Sequence, residues 1–131
     1  ECAAYEAALV AAGGIDLQLL GIGRNGHLGF NEPGSAHDGR TRLVRLAPST
    51  RADAAAGHQG TVPRHALTVG LGTVLEARRL VLLAFGEAKA DALHGALVGP
   101  VCEQLPASAL QRHGSVLVLA DDHAAARWAA P

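Results

Sequence analysis

One run constrains the fold more than any other stretch of this chain: "LVLLAF", Leu80 to Phe85, six apolar residues without polar alternation. A strand that faces water on one side alternates apolar with polar residues. A strand covered on both faces reads as a continuous apolar run, as in parallel sheets sandwiched by helices. The flanking segments have the composition that such a sheet requires. "ECAAYEAALVAAGG" predicts a helix halted at Gly13-Gly14, and "IDLQLL" a strand over Ile15 to Leu20. "TRLVRL" alternates as a strand does, and beyond Pro63 "ALTVG" reads as a strand and "LGTVLEARR" as a short helix capped near Thr73. After "LVLLAF", "GEAKADALHGALVG" predicts a helix ended by Gly99-Pro100, and "PASALQRHG" another short one. "SVLVLA" predicts a last core strand, and "DDHAAARWAA" a final helix with Asp121 and Asp122 on its N-terminal dipole. The alternation predicts one α/β domain over residues 1–131, a three-layer αβα sandwich with a mainly parallel sheet.

Composition narrows the partners. The chain has 131 residues, 49% of them hydrophobic, and a net charge of −1, enough for one domain with a sizeable core. Eleven basic side chains against 12 acidic ones make no field able to hold nucleic acid or an anionic membrane, and the expected partner is a small molecule. Tyr5 and Trp128 are too few to form a stacking platform for nucleic acid. Cys2 and Cys102 show no C-x-x-C spacing, which points to a reduced, cytoplasmic setting. The apolar runs are too short to cross a membrane, and no signal peptide opens the chain. A start at Glu1, without methionine and in helix-like composition, suggests a fragment or a processed form.

The functional signal lies in "LLGIGRNGHLGFNEPGS", Leu19 to Ser35, part of a long, glycine-rich loop that runs to Arg40. Gly21, Gly23 and Gly26 have the G-x-G-x-x-G spacing of a dinucleotide-binding turn. That turn must run straight into a helix whose N-terminal amides hold a pyrophosphate. Here Gly29, Pro33 and Gly34 interrupt any helix, so the spacing is not read as a cofactor site. The glycines instead let the backbone bend at a strand's carboxyl end and present Asn25, His27 and Glu32 to a crevice. A carboxylate near a histidine orients the ring and favours its protonated form, so the imidazole can carry protons near neutral pH. From spacing alone, a His27 that merely caps or packs within the loop fits equally well. The other histidines, His37, His58, His65, His94, His113 and His123, lack metal-ligand spacing, and no metal is expected.

"GIGRNGHLGFNEPGS" resembles the signature of the glucosamine-6-phosphate deaminase (isomerase) family. The resemblance continues in order through "RTRLVRLAPSTR", "VPRHALTVGLGTVLEARRLVLLAFGEAKADAL" and "GSVLVLADD", and covers the later half of a family member. It implies the family's modified Rossmann sandwich, incomplete here, and conversion of glucosamine 6-phosphate and water into fructose 6-phosphate and ammonia, without metal or organic cofactor. It also implies that His27 moves a proton between the anomeric and ring oxygens to open the pyranose, and that Glu32 hydrogen-bonds and tunes it. Asn25 stands where some members have an acid. An amide there orients the histidine but cannot ionise, which weakens support for an imidazolium. Lys89 matches the family's phosphate-binding lysine, in the first turn of the helix predicted after Gly86.

The aspartate that moves the C2 proton, and the glycine- and serine-rich phosphate loop, belong to the earlier half of the family and are not in this chain. A second phosphate ligand, an arginine, aligns with Ala56. Losing it removes a charge-assisted hydrogen bond of about 1.5 to 3 kcal/mol, with Arg51 or Arg64 as substitutes. Ser35 and Arg42 resemble effector ligands of the hexameric members, which makes a homo-oligomer one expectation. Val44, however, replaces an expected lysine, and Arg42 also reads as a strand residue facing water. Three readings follow: the deaminase, or the half of it that carries the ring-opening histidine; a fragment that at most binds a sugar phosphate; and the sister 6-phosphogluconolactonase, from which "FNEPGS" departs.

Overall fold

Three of the predicted strands pair side by side in one parallel sheet. The computed structural model describes residues 1–55, 57 and 60–128. In chain order the elements are α1 (Cys2–Ala11), β1 (Gln18–Gly21), β2 (Arg42–Arg45), α2 (Pro48–Ala55), β3 (His65–Thr68), α3 (Leu71–Leu75), β4 (Leu80–Ala84), α4 (Ala90–Val98) and β5 (Val116–Ala120). Two 3-10 turns, Glu87–Lys89 and Pro106–Arg112, flank α4. The sheet order is β1-β4-β5, with Leu20 opposite Leu82 and Leu82 opposite Val118. The mixed α/β architecture with a mainly parallel sheet is as the sequence predicts. A separate antiparallel ribbon pairs β2 with β3, Val44 opposite Ala66.

The apolar run forms the central strand because it has most to bury. Leu80, Leu82 and Ala84 of β4 lie on one face, at most 1% exposed, against α3, α4 and the Pro106–Arg112 turn through Leu71, Leu93 and Leu110. Each fully buried leucine contributes about 1.5 to 3 kcal/mol. The other face departs from the expectation of cover on both sides. Leu19, Val81 and Leu117 stand in one row, and Leu119 follows in the next, yet Leu19, Leu117 and Leu119 are 59%, 53% and 46% exposed. The described residues therefore supply one helical layer against one sheet face, and the sandwich is incomplete.

Four further local expectations are corrected. Thr73 does not cap α3, whose N-cap is Gly70; its hydroxyl instead donates to Glu6 at 2.7 Å and helps hold α1, which buries none of its residues, to the body. The helix predicted from Gly86 begins at Ala90, behind a 3-10 turn. "PASALQR" is a 3-10 turn rather than an α-helix, with Pro106 at its start and five consecutive buried residues from Pro106 to Leu110. Residues 122–128 form turns, although Asp121 does accept from the Ala124 amide at 2.8 Å, and positions 129 and 130 lie outside the described residues.

Candidate active site

The site forms where β1 and β4 end together. Both strands are parallel neighbours, so the loop after Gly21 and the turn after Ala84 leave from the same edge of the sheet. Ligands of open α/β sheets bind at such carboxyl ends. The first loop brings His27, the second Lys89, and α2 closes a third side with Thr50 and Asp53. Together with Gly21, Ile22, Gly23 and Gly29 these residues line a cavity of about 370 Å³.

The glycine spacing shapes the bed of His27. The Gly23 amide donates to the His27 carbonyl at 3.0 Å, and the Gly26 amide to the Gly23 carbonyl at 2.9 Å, closing a tight turn. Gly26 holds φ at +80°, a conformation that favours glycine, and faces Leu105. Gly23 is needed for room: a Cβ there would lie inside the His27 ring. The motif thus serves an imidazole packed on bare backbone.

Asn25, His27 and Glu32 meet in one hydrogen-bonded array, of which His27 lines the cavity and Glu32 lies behind it. Asn25 Oδ1 lies 2.8 Å from His27 Nδ1 and accepts from the His27 amide at 3.2 Å, while Asn25 Nδ2 donates to Glu32 Oε2 at 2.9 Å. An ionised carboxylate only accepts, so Asn25 must turn its amino group to Glu32 and its oxygen to His27. That orientation places the proton on His27 Nδ1 and leaves Nε2 with a free lone pair. Glu32 Oε2 lies 3.6 Å from Nδ1, too far for a direct hydrogen bond, so the amide connects the two. The Ala47 amide, just before α2, donates to Glu32 Oε1 at 3.1 Å.

The electrostatics correct one expectation. Glu32 does not hold His27 protonated. Burial pushes the imidazole below its ordinary value of 6.5, Lys89 pushes the same way, and the opposing charges of Glu32 and Asp53 do not make up the difference. A neutral ring at pH 7 has its Nε2 ready to accept a proton. For Glu32, burial raises the carboxyl, but hydrogen bonds from Thr50, Asn25 and the Ala47 amide, with the nearby His27, hold it below its ordinary 4.5. Both shifts have the same consequence for stability. A folded-state pKa below the unfolded value means that the unfolded chain binds more protons, so acid favours unfolding. Stability is expected to fall as pH drops below about 6.5 through His27, and again below the ordinary carboxylate range through Glu32. Urea midpoints at pH 7 and pH 5, measured with the open sheet face covered, check this: His27→Gln should lose less between the two pH values than the parent.

Lys89 sits half-buried at the N-cap of α4 and lines the same cavity. The turn that delivers it is held by Asp121, whose carboxylate accepts from the Gly86 amide at 3.0 Å. Ser35 and Arg42 meet elsewhere. Arg42 donates to Ser35 Oγ at 3.1 Å and to Asn31 Oδ1 at 2.8 Å, so it is a bonded, half-buried residue and not a strand side chain facing water. Neither lines the His27 cavity. Arg51 reaches the Val62 carbonyl at 3.4 Å and Arg64 is exposed; neither lines the cavity. Ala56 lies outside the described residues, as does His58. Among the described residues no three His, Cys, Asp or Glu side chains gather to hold a metal, and no helix is long and apolar enough to cross a membrane.

Sequence reasoning passed over α2 and Asn31. Pro48 at the first helical position was the available signal for α2, since proline is favoured there. Asn31, wholly buried, donates to the carbonyls of Leu28 at 3.0 Å and Val69 at 2.8 Å.

The fold and site together are those of a parallel α/β sheet with a histidine–amide–carboxylate array and a lysine at its strand ends. The chain belongs to the family of glucosamine-6-phosphate isomerases and 6-phosphogluconolactonases, whose pattern it matches over residues 1–118. It is 56% identical over 128 residues to a glucosamine-6-phosphate deaminase of Cutibacterium acnes, covering 96% of this chain and 49% of that protein. It is 54% identical over 123 residues to the deaminase of Rhodopirellula baltica, covering 92% and 49%. A solved monomeric glucosamine-6-phosphate deaminase superposes with a TM-score of 0.93 at 46% identity, over 95% of this chain and 53% of that one. The 6-phosphogluconolactonase of Trypanosoma cruzi shares the fold, with a TM-score of 0.74 at 21% identity over 98% and 51% of the two chains. The chain spans about half the length of the curated relatives it matches.

Proposed function

We propose that this chain carries the ring-opening half of a glucosamine-6-phosphate deaminase site. The observation that supports it best is the His27–Asn25–Glu32 array, which leaves a neutral imidazole with its free nitrogen beside a cavity that also holds Lys89. Ring opening removes a proton from the anomeric oxygen and delivers one to the ring oxygen, and one imidazole between the two can serve both steps. His27 Nε2 takes the first proton, and the charge on the ring is met by Glu32 through Asn25 while the proton is held. Lys89 holds the phosphate. The aldose then isomerises by transfer of the C2 proton to C1, using a base from outside this chain, and water displaces ammonia at C2 to leave fructose 6-phosphate. Ser35 and Arg42, bonded to each other and through Arg42 to Asn31, are where an effector anion would bind, on the guanidinium donors these bonds leave over.

A second reading is favoured by the half-length match and the open sheet face: a fragment that binds a sugar phosphate without turning it over. Reassembly separates the two. The purified chain alone is expected to release no ammonia from glucosamine 6-phosphate and to aggregate through Leu19, Leu117 and Leu119. Co-folded with the separately produced first half of one of its relatives, it should stay in solution and release ammonia and fructose 6-phosphate in equal amounts. A soluble assembly that binds the substrate but forms neither product would leave only the second reading.

A further inference from the structure

The wall of the cavity opposite His27 is lightly held. Of α2 only Thr50 is buried, with its hydroxyl 3.4 Å from His27 Nδ1. One turn on, Asp53 faces the same way, as residues three apart on a helix do. Asp53 takes both arms of Arg24, one through Nε to Oδ2 at 3.0 Å and the other through Nη2 to Oδ1. Arg24 lies in the tight turn between Gly23 and His27, so this two-armed pair fastens α2 directly to the turn that shapes the imidazole bed. Arg24, Asn25, His27, Ser49, Thr50 and Asp53 line a second cavity, of about 300 Å³, on the side where the pair sits.

We propose that Arg24 and Asp53 are positioning residues that clamp α2 over His27, keeping its ring dry and Thr50 against Nδ1. The proposal builds on the reading of His27 as the ring-opening group and adds two residues that act through it. Bidentate guanidinium–carboxylate pairs fix relative orientation as well as attract. Both side chains are near half-exposed, 53% and 44%, so salt will loosen the clamp. The groups facing His27 are Asn25 and Glu32 from its own loop, Thr50 and Asp53 from α2, and Lys89 from the turn after β4. Burial is the largest of the influences on His27, and the Asp53 charge the last in order.

The test uses two substitutions that remove opposite charges, and reads the titration of the His27 ring by nuclear magnetic resonance in the reassembled protein, where the open sheet face is covered. A pair acting only through its field would shift His27 upward in Arg24→Gln and downward in Asp53→Asn. A clamp predicts the same direction for both, because opening α2 admits water to the ring: upward by about half a pH unit. Molar salt should move the parent chain the same way. Exchanging the partners, Arg24→Asp with Asp53→Arg, should restore the parent value. Shifts of opposite sign, no shift, or an exchange that fails to restore would overturn the clamp. None of these outcomes depends on turnover. Co-directional shifts in a reassembled protein that releases no ammonia would keep the clamp and remove the deaminase reading.

Discussion

In the reassembled enzyme His27→Gln is expected to lower turnover of cyclic glucosamine 6-phosphate by about 100- to 10,000-fold, the range that a positioned acid–base group supplies. An open-chain analogue, which needs no ring opening, should react at close to the parent rate. Gly23→Ala should reproduce that pattern without touching a functional side chain. The glycine does not have a left-handed backbone, so alanine costs little in conformation; its methyl would occupy the space of the imidazole itself. The ring must rotate out, breaking the 2.8 Å contact with Asn25 that fixes its tautomer. A misplacement of about 1 Å can cost 100-fold. Parallel assays on cyclic and open-chain substrates check the pair, and equal losses on both would assign His27 to a later step or to the scaffold.

The same glycines show how far the sequence could be read. Their spacing was visible, and the lack of a helix-forming sequence after them argued against a dinucleotide. What each glycine does was not visible, because Gly23 answers to a ring four residues away and Gly26 to Leu105, a contact that only the fold creates. The sheet was legible because a buried central strand leaves a continuous apolar record in "LVLLAF". The open face was less so, since Leu19, Leu117 and Leu119 look like core residues until the register puts them on the uncovered side. The convergence of His27 and Glu32 was legible through their resemblance to a known signature. The direction of the His27 shift was not, because it is a contest between burial and charge, and burial cannot be read from a loop of glycines. α2 was hidden for a simpler reason: "PSTRADAA" has no apolar stripe, and the helix is held by Thr50 and Asp53 where most helices are held by packing.

The largest stability loss is expected at a residue with no part in the chemistry. Asn31→Leu keeps the branched side-chain shape at a position with no solvent exposure, but removes one of two donors from each of the Leu28 and Val69 carbonyls, which keep the Asn31 amide and the Thr68 hydroxyl, and an acceptor from the Arg42 guanidinium. Each group keeps another partner, Arg42 through Ser35 and the Arg40 carbonyl, so three lost hydrogen bonds at about 0.5 to 1.5 kcal/mol each give an expected total of about 3 kcal/mol. Asn31→Asp separates the contributions. It keeps an acceptor for Arg42 but turns oxygen lone pairs toward two carbonyls, so it should remain destabilised if the donated bonds dominate and recover if the arginine does. Urea midpoints for the three proteins, measured in the reassembled form where the open face is covered, distinguish these outcomes. Because Asn31 joins the end of the glycine-rich loop to β2 and to the Val69 carbonyl just beyond β3, and Glu32 is the next residue, both variants should also loosen the carboxylate that faces His27. A variant that lost stability while the His27 titration stayed fixed would show that Asn25, Thr50 and Ala47 hold Glu32 without help from Asn31.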